Sequence, residues 1–236
     1  MAYQVIGLSR SYGELRVLDG LDLAFAQGSV TVVLGPSGCG KTTLLNVLAG
    51  IDKGYEGRVD GFGDGRPSYL FQEDRLLPWM DAAANVAFVL RPFMEEAGRL
   101  AAAAKALEAV GLGAQLRNRP HELSGGMRRR VALARAFAYP SKVVLLDEPF
   151  SSLDLKTRIG VMDLFLELRA ADARTAVVVT HDVREAIYLG DSITTLSDKP
   201  ARVRDRFDIV LSREERSYAD PSSAETEARL YRSILS

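Results

Sequence analysis

The sequence predicts an α/β fold in which helices pack on a mostly parallel sheet. Three apolar, β-branched runs support this prediction: TVVLG at 31–35, KVVLLDEP at 142–149 and TAVVVTHD at 175–182. Each run has the length of a strand and ends at a glycine, a proline or polar residues. The chain has 236 residues, of which 47% are hydrophobic and 26% are charged, so a domain with a substantial core is expected.

The segments between these runs have the spacing of helices. TTLLNVLAG at 42–50 follows the first run, and TRIGVMDLFLELRAA at 157–171 separates the second run from the third. A weaker fourth strand is predicted at 192–197. Strands that alternate with helices indicate a parallel sheet, because each helix returns the chain to the edge from which the previous strand started.

Residues 74–135 have a different character. They contain the alanine-rich stretch GRLAAAAKALEAVG and no convincing strand, so we predict an inserted helical subdomain. Its long helix is expected to end near Gly111, with Leu100, Leu107 and Val110 on the buried face.

The remainder of the chain is predicted to form the core and a short tail. The core comprises 1–73 and 136–199, and the glycine-punctuated stretches 13–30 and 54–71 are expected to form a small antiparallel sheet. In the tail, 200–236, RVRDRFDIVL predicts one more strand and AETEARLYRSIL a short helix.

Charge and cysteine content exclude some functions. The net charge is −1, from 30 basic and 31 acidic residues, which gives no electrostatic reason to expect a nucleic acid partner. A single cysteine excludes an internal disulfide and favours a reducing compartment. The first residues, MAYQVIGLSR, lack the apolar core of a secretory signal, and no run approaches the ~18 apolar residues of a membrane span.

GPSGCGKTT at 35–43 matches the phosphate-binding pattern G-x-x-x-x-G-K-[ST] between a strand and a helix. Its glycines allow backbone amides to surround a phosphate, and the helix start adds a positive dipole end. We therefore predict ATP and Mg²⁺ as cofactors, with Lys41 at the β- and γ-phosphates and Thr42 on the metal. A glycine-rich structural turn is the alternative. The residues expected around the nucleotide are Gly35, Pro36, Ser37, Gly38, Cys39, Gly40, Lys41, Thr42 and Thr43.

Two acidic residues follow the strand VVLL. Successive residues of a strand point in different directions, so the two carboxylates can take different roles. Asp147 is expected to bind Mg²⁺ through its coordination shell, and Glu148 is expected to act as general base for the attacking water. An ordinary surface turn, DEP, is the alternative. Cys39, inside the glycine loop, is expected to fill space, although its thiol could instead make the site sensitive to alkylation.

Two further side chains are expected at the same edge. His181, at the end of the third strand, could donate a hydrogen bond to the γ-phosphate and so distinguish ATP from ADP; the alternative is a structural loop histidine. Gln72, in LFQED, could contact Mg²⁺ or water and move with its loop, or it could be a structural glutamine.

A second glycine turn occurs in HELSGGMRRR at 121–130. Ser124 suits an N-cap, Gly125 and Gly126 free the backbone, and a helix follows, so this turn could hold another phosphate. It belongs to the helical insert, and one chain is not expected to fold it over its own nucleotide. A second copy placed head-to-tail could do so. The run of three arginines at 128–130 is interpreted as a solvated helix face.

The ordered motifs GPSGCGKTT, LFQED, LSGGM, VVLLDEP, SSLD and VVVTHD resemble those of ATP-binding-cassette (ABC) ATPases over nearly the whole chain. This resemblance implies a P-loop NTPase core and a head-to-tail dimer with two ATP molecules between P-loop and signature. It implies that Ser124, Gly125 and Gly126 contact the ATP of the other copy, and that Asp154, in SSLD, lies at the seam. Tyr12 matches the family's adenine-stacking aromatic; sheet packing is the alternative.

The chain carries one cassette without coiled coils or membrane spans, which resembles a bacterial import ATPase. EDRLLPWMDAAANVAF at 73–88 resembles the nitrate/sulfonate/taurine branch, although riboflavin-precursor and pyrimidine importers share much of this text. The resemblance implies a separate membrane permease that docks near Gln72–Trp79, a solute-binding protein, and a peripheral position on the cytoplasmic face of the membrane. Trp79 would be an exposed docking residue or, alternatively, part of the core.

Two other functions share some of these motifs. A non-transport ABC ATPase, acting in repair or regulation on a soluble partner, would use the same nucleotide motifs. A P-loop kinase would leave LSGGM and SSLD without a role.

Overall fold

The computed structural model describes residues 3–63, 66–210, 216, 218 and 224–235. It has the predicted α/β architecture, with a six-stranded sheet flanked by helices and a separate three-stranded antiparallel sheet. No helix in the described part of the chain is both long enough and apolar enough to cross a membrane.

The described residues contain nine strands. Their bounds are β1 Tyr3–Tyr12, β2 Leu15–Phe25, β3 Val30–Leu34, β4 Glu56–Asp60, β5 Ser68–Leu70, β6 Val143–Asp147, β7 Thr175–Thr180, β8 Ser192–Leu196 and β9 Val203–Asp208. The large sheet has the order β5-β6-β7-β3-β8-β9 and is parallel except for the last pair. The small sheet has the order β2-β1-β4.

Seven α-helices and two 3-10 turns occur in the same residues. The helices are α1 Lys41–Leu48, α2 Ala82–Phe88, α3 Glu96–Ala109, α4 Gly125–Ala138, α5 Leu155–Asp172, α6 Val183–Leu189 and α7 Ala224–Leu235, and the 3-10 turns are Gly113–Gln115 and Pro120–Glu122. Helices α2, α3 and α4 pack on one another around a cluster of their own.

The central strands are buried on both faces. Alternate residues, such as Val32 and Val178, pack on the side of α5 and α6, whereas Val33 and Val179 pack with α1 and the small antiparallel sheet. Burial on both faces explains why these strands are continuous apolar runs. Because the strands are parallel, the segments after β3, β5, β6 and β7 all emerge at the same edge of the sheet.

Several predicted elements are confirmed. The strands predicted near 31–35, 142–149, 175–182 and 192–197 are β3, β6, β7 and β8. The helix that was expected to end near Gly111 is α3, and Gly111 has a φ of +71°. The two tail elements are β9 and α7; Leu211, at the end of the predicted tail strand, lies outside the described residues.

Other predictions were wrong in detail. β1 was missed, because shifts in its pairing with β2 break the alternation of buried and exposed residues. Residues 68–70 were expected in the antiparallel sheet, but β5 pairs in parallel with β6. Leu100 is 44% exposed, since the buried face of α3 begins only at Ala103. Helix α4 also runs past the boundary predicted at 135.

Candidate active site

The glycine loop at 35–43, called the P-loop below, joins β3 to α1. Gly38 and Gly40 have φ angles of +77° and +123°, which other residues rarely adopt. A side chain at Gly40 would lie 2.8 Å from Leu18 and 2.9 Å from Val17, so the loop lies close against β2. In the described structure no side chain caps α1, which leaves its first amides available for an anion.

The ammonium group of Lys41 is enclosed by the P-loop. The residue is 4% exposed, and Nζ donates to the carbonyl oxygens of Gly35 at 2.9 Å and Pro36 at 2.8 Å. It also lies 3.5 Å from a carboxylate oxygen of Glu148. The lysine expected at the phosphates therefore turns towards acceptors of its own loop, which satisfy a buried charge.

The Cys39 side chain points into the core. Its thiol is buried, and a Cβ at Gly35 would lie 3.1 Å from its sulfur, so the two residues are in close contact. Burial raises the pKa of the thiol, although the nearby Lys41 opposes this shift. A buried, protonated thiol is unreactive, which favours the space-filling interpretation over alkylation sensitivity.

Asp147 ends β6 and faces the start of α1. The Thr42 hydroxyl donates to Asp147 Oδ1 at 3.2 Å, which joins the two residues predicted for the metal. Burial raises the pKa of Asp147, and the hydrogen bond from Thr42 opposes that shift. Because both oxygens belong to groups that Mg²⁺ accepts, their proximity is compatible with a metal site.

Tyr69 was not predicted as a site residue. Its hydroxyl lies 3.4 Å from Asp147 Oδ2 and 3.3 Å from Asn46 Oδ1. Burial, followed by the charge of Asp147, raises the pKa of Tyr69, so the hydroxyl stays protonated and can donate. The contact arises because β5 and β6 are neighbours, which the sequence alone did not establish.

Glu148 follows Asp147 but meets different partners. One carboxylate oxygen faces Lys41, and the other lies 3.2 Å from His181 Nδ1. The backbone has a φ of +41°, and the Glu148 N–H donates to Val179 O at 2.9 Å. A positive φ in a residue with a side chain costs about 1–3 kcal/mol, so the surrounding contacts must hold this conformation.

A cavity of about 450 Å³ lies beside the P-loop; Asp147 and His181 are not among the described residues that line it. It brings together Tyr12, Ser37, Gly38, Gly40, Lys41, Thr42, Thr43, Gln72 and Glu148 from the predicted set. Leu15, Val17 and Lys199 also line it and were not predicted. A cleft with an ammonium, a carboxylate and uncapped amides beside an aromatic ring can accommodate a nucleoside triphosphate.

Tyr12 forms one wall of the cavity. Tyr12 ends β1, is 46% exposed and lines the cavity, so its side chain is accessible to a ligand. Its hydroxyl donates to Asp52 Oδ2 at 2.5 Å, and the Arg10 guanidinium lies 4.2 Å from the ring centroid. Arg10 also donates to Asp52 at 2.9 Å, so the ring is fixed at its hydroxyl and covered on one face.

The residues of the second glycine turn lie elsewhere. Ser124, Gly125 and Gly126, called the signature turn below, are not among the described residues that line the cavity. The predicted N-cap is confirmed, since Ser124 Oγ accepts from Met127 N–H at 3.2 Å. A Cβ at Gly126 would lie 2.5 Å from the Thr157 methyl, which brings α4 close to the start of α5.

Asp154 lies beside the signature turn. It caps α5 by accepting from Thr157 N–H at 3.1 Å, and hydrogen bonds from Thr157 lower the pKa of its carboxyl. The two predicted clusters, the cavity and the signature turn with Asp154, are therefore separate surfaces of one chain.

An apolar groove lies on the other side of the Gln72 segment. Its volume is about 320 Å³, and its lining includes Phe71, Leu77 and Phe88. Trp79 is 68% exposed, so the alternative that it packs in the core is wrong. The loop before it is held by the buried Asn85, whose side chain bonds both the N–H and the carbonyl of Leu77 at 2.7 and 3.2 Å.

Comparison with known proteins supplies the family. The family model described as "ABC transporter" matches residues 18–151. The aliphatic sulfonates import ATP-binding protein SsuB 2 of Burkholderia lata is 41% identical over 93% of this chain and 81% of its own length. SsuB 1 of Pseudomonas syringae pv. syringae is 40% identical over 84% of this chain and 86% of its own length.

Solved structures agree with these sequence relatives. The dimeric structure of MJ0796, described as a bacterial ABC transporter cassette, has a TM-score of 0.78 at 29% identity and covers 90% of this chain and 100% of its own. A dimeric post-hydrolysis state of the same cassette, bound to ADP and Pi, has a TM-score of 0.76 with the same identity and coverage.

Proposed function

This chain belongs to the ABC transporter family, and we propose that it is the ATP-hydrolysing subunit of a system that imports aliphatic sulfonates or related small solutes. The observation that carries the proposal is the convergence of Lys41, Thr42, Gln72 and Glu148 on one cavity at the edge of the sheet. The relatives are import proteins, and a repair or regulatory ATPase is not favoured.

In this proposal ATP lies along the cavity, with adenine at Tyr12 and the γ-phosphate near Lys41. The free face of Tyr12, opposite Arg10, is the proposed stacking surface for adenine. The amides of the P-loop and the start of α1 would hold the phosphates. Lys41 Nζ would exchange its two loop carbonyls for phosphate oxygens, which are stronger acceptors for an ammonium.

Mg²⁺ is compatible with the oxygens beside the P-loop. We propose Thr42, Asp147 and Gln72 as the residues that hold it, directly or through water. Among the described residues no three His, Cys, Asp or Glu side chains form a metal cluster, so this site depends on a hydroxyl, an amide and one carboxylate. When bound, the ion would neutralise charge that develops on the phosphate oxygens.

Glu148 is proposed to accept the proton of the attacking water. Lys41 and His181 flank its carboxylate, at 3.5 and 3.2 Å, and together they fix its orientation. Because His181 presents Nδ1 to Glu148, we propose that Nε2 meets the γ-phosphate. General base catalysis of this kind contributes roughly 10²- to 10⁴-fold in rate.

The signature turn is proposed to complete the site of another copy. It combines a serine hydroxyl, small residues and a helix N-terminus, yet it lies outside the cavity of its own chain. In a head-to-tail dimer, Ser124, Gly125, Gly126 and Asp154 of one copy would close the cavity of the other. The relative MJ0796 forms a dimer, which supports this arrangement.

Glu148→Gln tests the catalytic proposal. The variant should bind ATP within about threefold of the wild-type affinity, because Gln keeps the shape of the side chain, while hydrolysis falls by about 10²- to 10⁴-fold. ATP should then trap a dimer, which size-exclusion chromatography would detect. Near-normal hydrolysis would remove Glu148 as the base, and full activity of a monomer would exclude the shared site.

The apolar groove beside Phe71, with Trp79, is the proposed docking surface for a short helix of a membrane permease. Docking there would hold the chain at the cytoplasmic face of the membrane, with a solute-binding protein acting indirectly through the permease. Phe71 precedes Gln72 in sequence, so the backbone connects the groove to the cavity.

Trp79 fluorescence tests the docking proposal, because Trp79 is the only tryptophan in the chain. Acrylamide should quench it strongly in the isolated protein and several-fold less in the complex with the permease. Equal quenching in both states would show that docking occurs elsewhere.

A further inference from the structure

Arg129 is a buried cation that connects three parts of the molecule. It lies on α4, a little more than one turn after Ser124, and is 2% exposed. The sequence interpretation of 128–130 as a solvated face is therefore wrong for this residue. It shares the inward face of α4 with Leu133 and Ala136, one and two turns further along the helix.

One edge of the Arg129 guanidinium faces the segment after β6. Nε donates to the carbonyl of Pro149, and Nη2 lies 3.5 Å from the carbonyl of Glu148. The Glu148 carbonyl also accepts from Ser151 Oγ at 3.2 Å. These contacts surround the residue whose backbone has the unfavourable positive φ.

The opposite end of the guanidinium faces the segment after β5. Nη1 donates to the carbonyl of Phe71 at 2.8 Å and lies 3.3 Å from the carbonyl of Gln72 and 3.1 Å from Asp74 Oδ1. β5 and β6 are adjacent strands, which are about 4.8 Å apart in sheets, so a planar fork of donors spans their ends.

We propose that Arg129 is a positioning residue that holds the backbones of Gln72 and Glu148 in register with the signature helix α4. The inference rests on the proposed roles of these two residues in hydrolysis. A lysine has one donor atom at its tip and can serve only one of the two segments, whereas the guanidinium serves both. Arg129 thereby connects the helix that serves the nucleotide of another copy to the loops that act on the chain's own.

Arg129→Gln tests this inference. It should lower kcat by about 10- to 100-fold, because small displacements of catalytic groups are that costly, while ATP affinity in a fluorescent-analogue assay changes less than about threefold. The kcat of Arg129→Lys should lie between those of the wild type and Arg129→Gln. Without nucleotide, amide hydrogen exchange at 71–74 and 148–151 should quicken by about tenfold, with the P-loop unchanged.

The matched control is Arg174→Gln. Arg174 is also largely buried, at 11% side-chain exposure, and donates to the Tyr139 carbonyl at 2.8 Å, away from both catalytic segments. This variant should lose stability but keep kcat within about twofold. If Arg129→Gln behaves in the same way, the positioning role is wrong; if Arg129→Gln does not fold, Arg129→Lys decides by the same measurements.

A double variant separates this inference from the proposed function. In a Glu148→Gln background, single-turnover hydrolysis should fall less than about threefold further when Arg129→Gln is added, because both changes act through one step. If the losses of the two single variants multiply in full, the positioning role is wrong, while Glu148 remains the proposed base. Normal hydrolysis in Glu148→Gln alone would instead overturn the proposed base.

Discussion

The P-loop and the signature turn are both glycine-containing helix starts, but they use glycine for different reasons. Gly40 in the P-loop has a φ of +123° and no room for a side chain beside β2. Gly125 in the signature turn is exposed, has no positive φ, and a Cβ there would meet only the Arg128 guanidinium, at 3.8 Å. The fold therefore requires glycine at the first position and tolerates a side chain at the second.

A glycine that its own fold does not require indicates a contact from outside the chain. The P-loop has its charged partner, Lys41, within the loop, whereas the signature turn presents an open serine and backbone to solvent. The first turn therefore supplies its own cation, whereas the second turn is open to solvent. This difference supports the shared nucleotide proposed above.

Gly125→Ala is expected to have the largest effect of the changes that test this comparison. Hydrolysis should fall on the order of 10²-fold, because the methyl group would hold the signature turn away from the phosphate of the other copy. Stability should rise by about 0.4–1 kcal/mol, since alanine has fewer unfolded conformations than glycine. ATPase assays and urea denaturation measure the two effects. Unchanged hydrolysis would mean that nothing approaches Gly125 closely.

Gly126→Ala is the matched variant within the same turn. Its Cβ would lie 2.5 Å from the Thr157 methyl, so either the Thr157 side chain or the start of α4 must move, at a cost of about 1–3 kcal/mol. The two neighbouring glycines should therefore change the free energy of unfolding in opposite directions. If both variants change the free energy of unfolding in the same direction, Gly125 and Gly126 do not differ in their contacts within the chain.

Local patterns predicted the P-loop, the Asp147–Glu148 pair and the parallel strands, because each depends on residues that are adjacent in sequence. Tyr69 could not be assigned in this way, since its contact with Asp147 depends on the pairing of β5 with β6, which are far apart in the chain. β1 was not predicted, because its bulges break the period-two alternation of buried and exposed residues.

The sequence contains a signal that distinguishes Arg129 from its two neighbouring arginines. Three consecutive arginines suggest a charged surface, yet successive helical residues point about 100° apart and cannot share one face. The spacing of Arg129 from Leu133 and Ala136 identifies it as the inward one. Its acceptors could not be predicted, because they are backbone carbonyls and the Asp74 carboxylate in two loops that the fold brings together.

Two acidic residues, one buried and one exposed, have pKa shifts in opposite directions. Burial raises the pKa of Glu185 to about 7; its Oε2 accepts from the Thr180 hydroxyl at 2.7 Å, and Arg158 lies 3.8 Å from its other oxygen. Asp182 raises this pKa further, while Arg158 and His181 lower it. Beside the signature turn, the pKa of the exposed Asp154 is lowered instead. Effects of near-neutral pH on stability should therefore arise at Glu185.

Glu185→Gln should change the pH dependence of stability. The folded protein retains the Glu185 proton up to about pH 7, whereas an ordinary glutamate loses it near 4.5, so wild-type stability should decrease across this interval. Glutamine stays neutral and can still accept from Thr180. The variant should therefore gain up to roughly 3 kcal/mol relative to wild type between pH 4.5 and 8, with most of the gain below pH 7. Urea unfolding at several pH values measures this difference in the free energy of unfolding. The control is Glu108→Gln, at an exposed glutamate. If stability changes with pH in the same way in the wild type and in Glu185→Gln, Glu185 is charged throughout this interval.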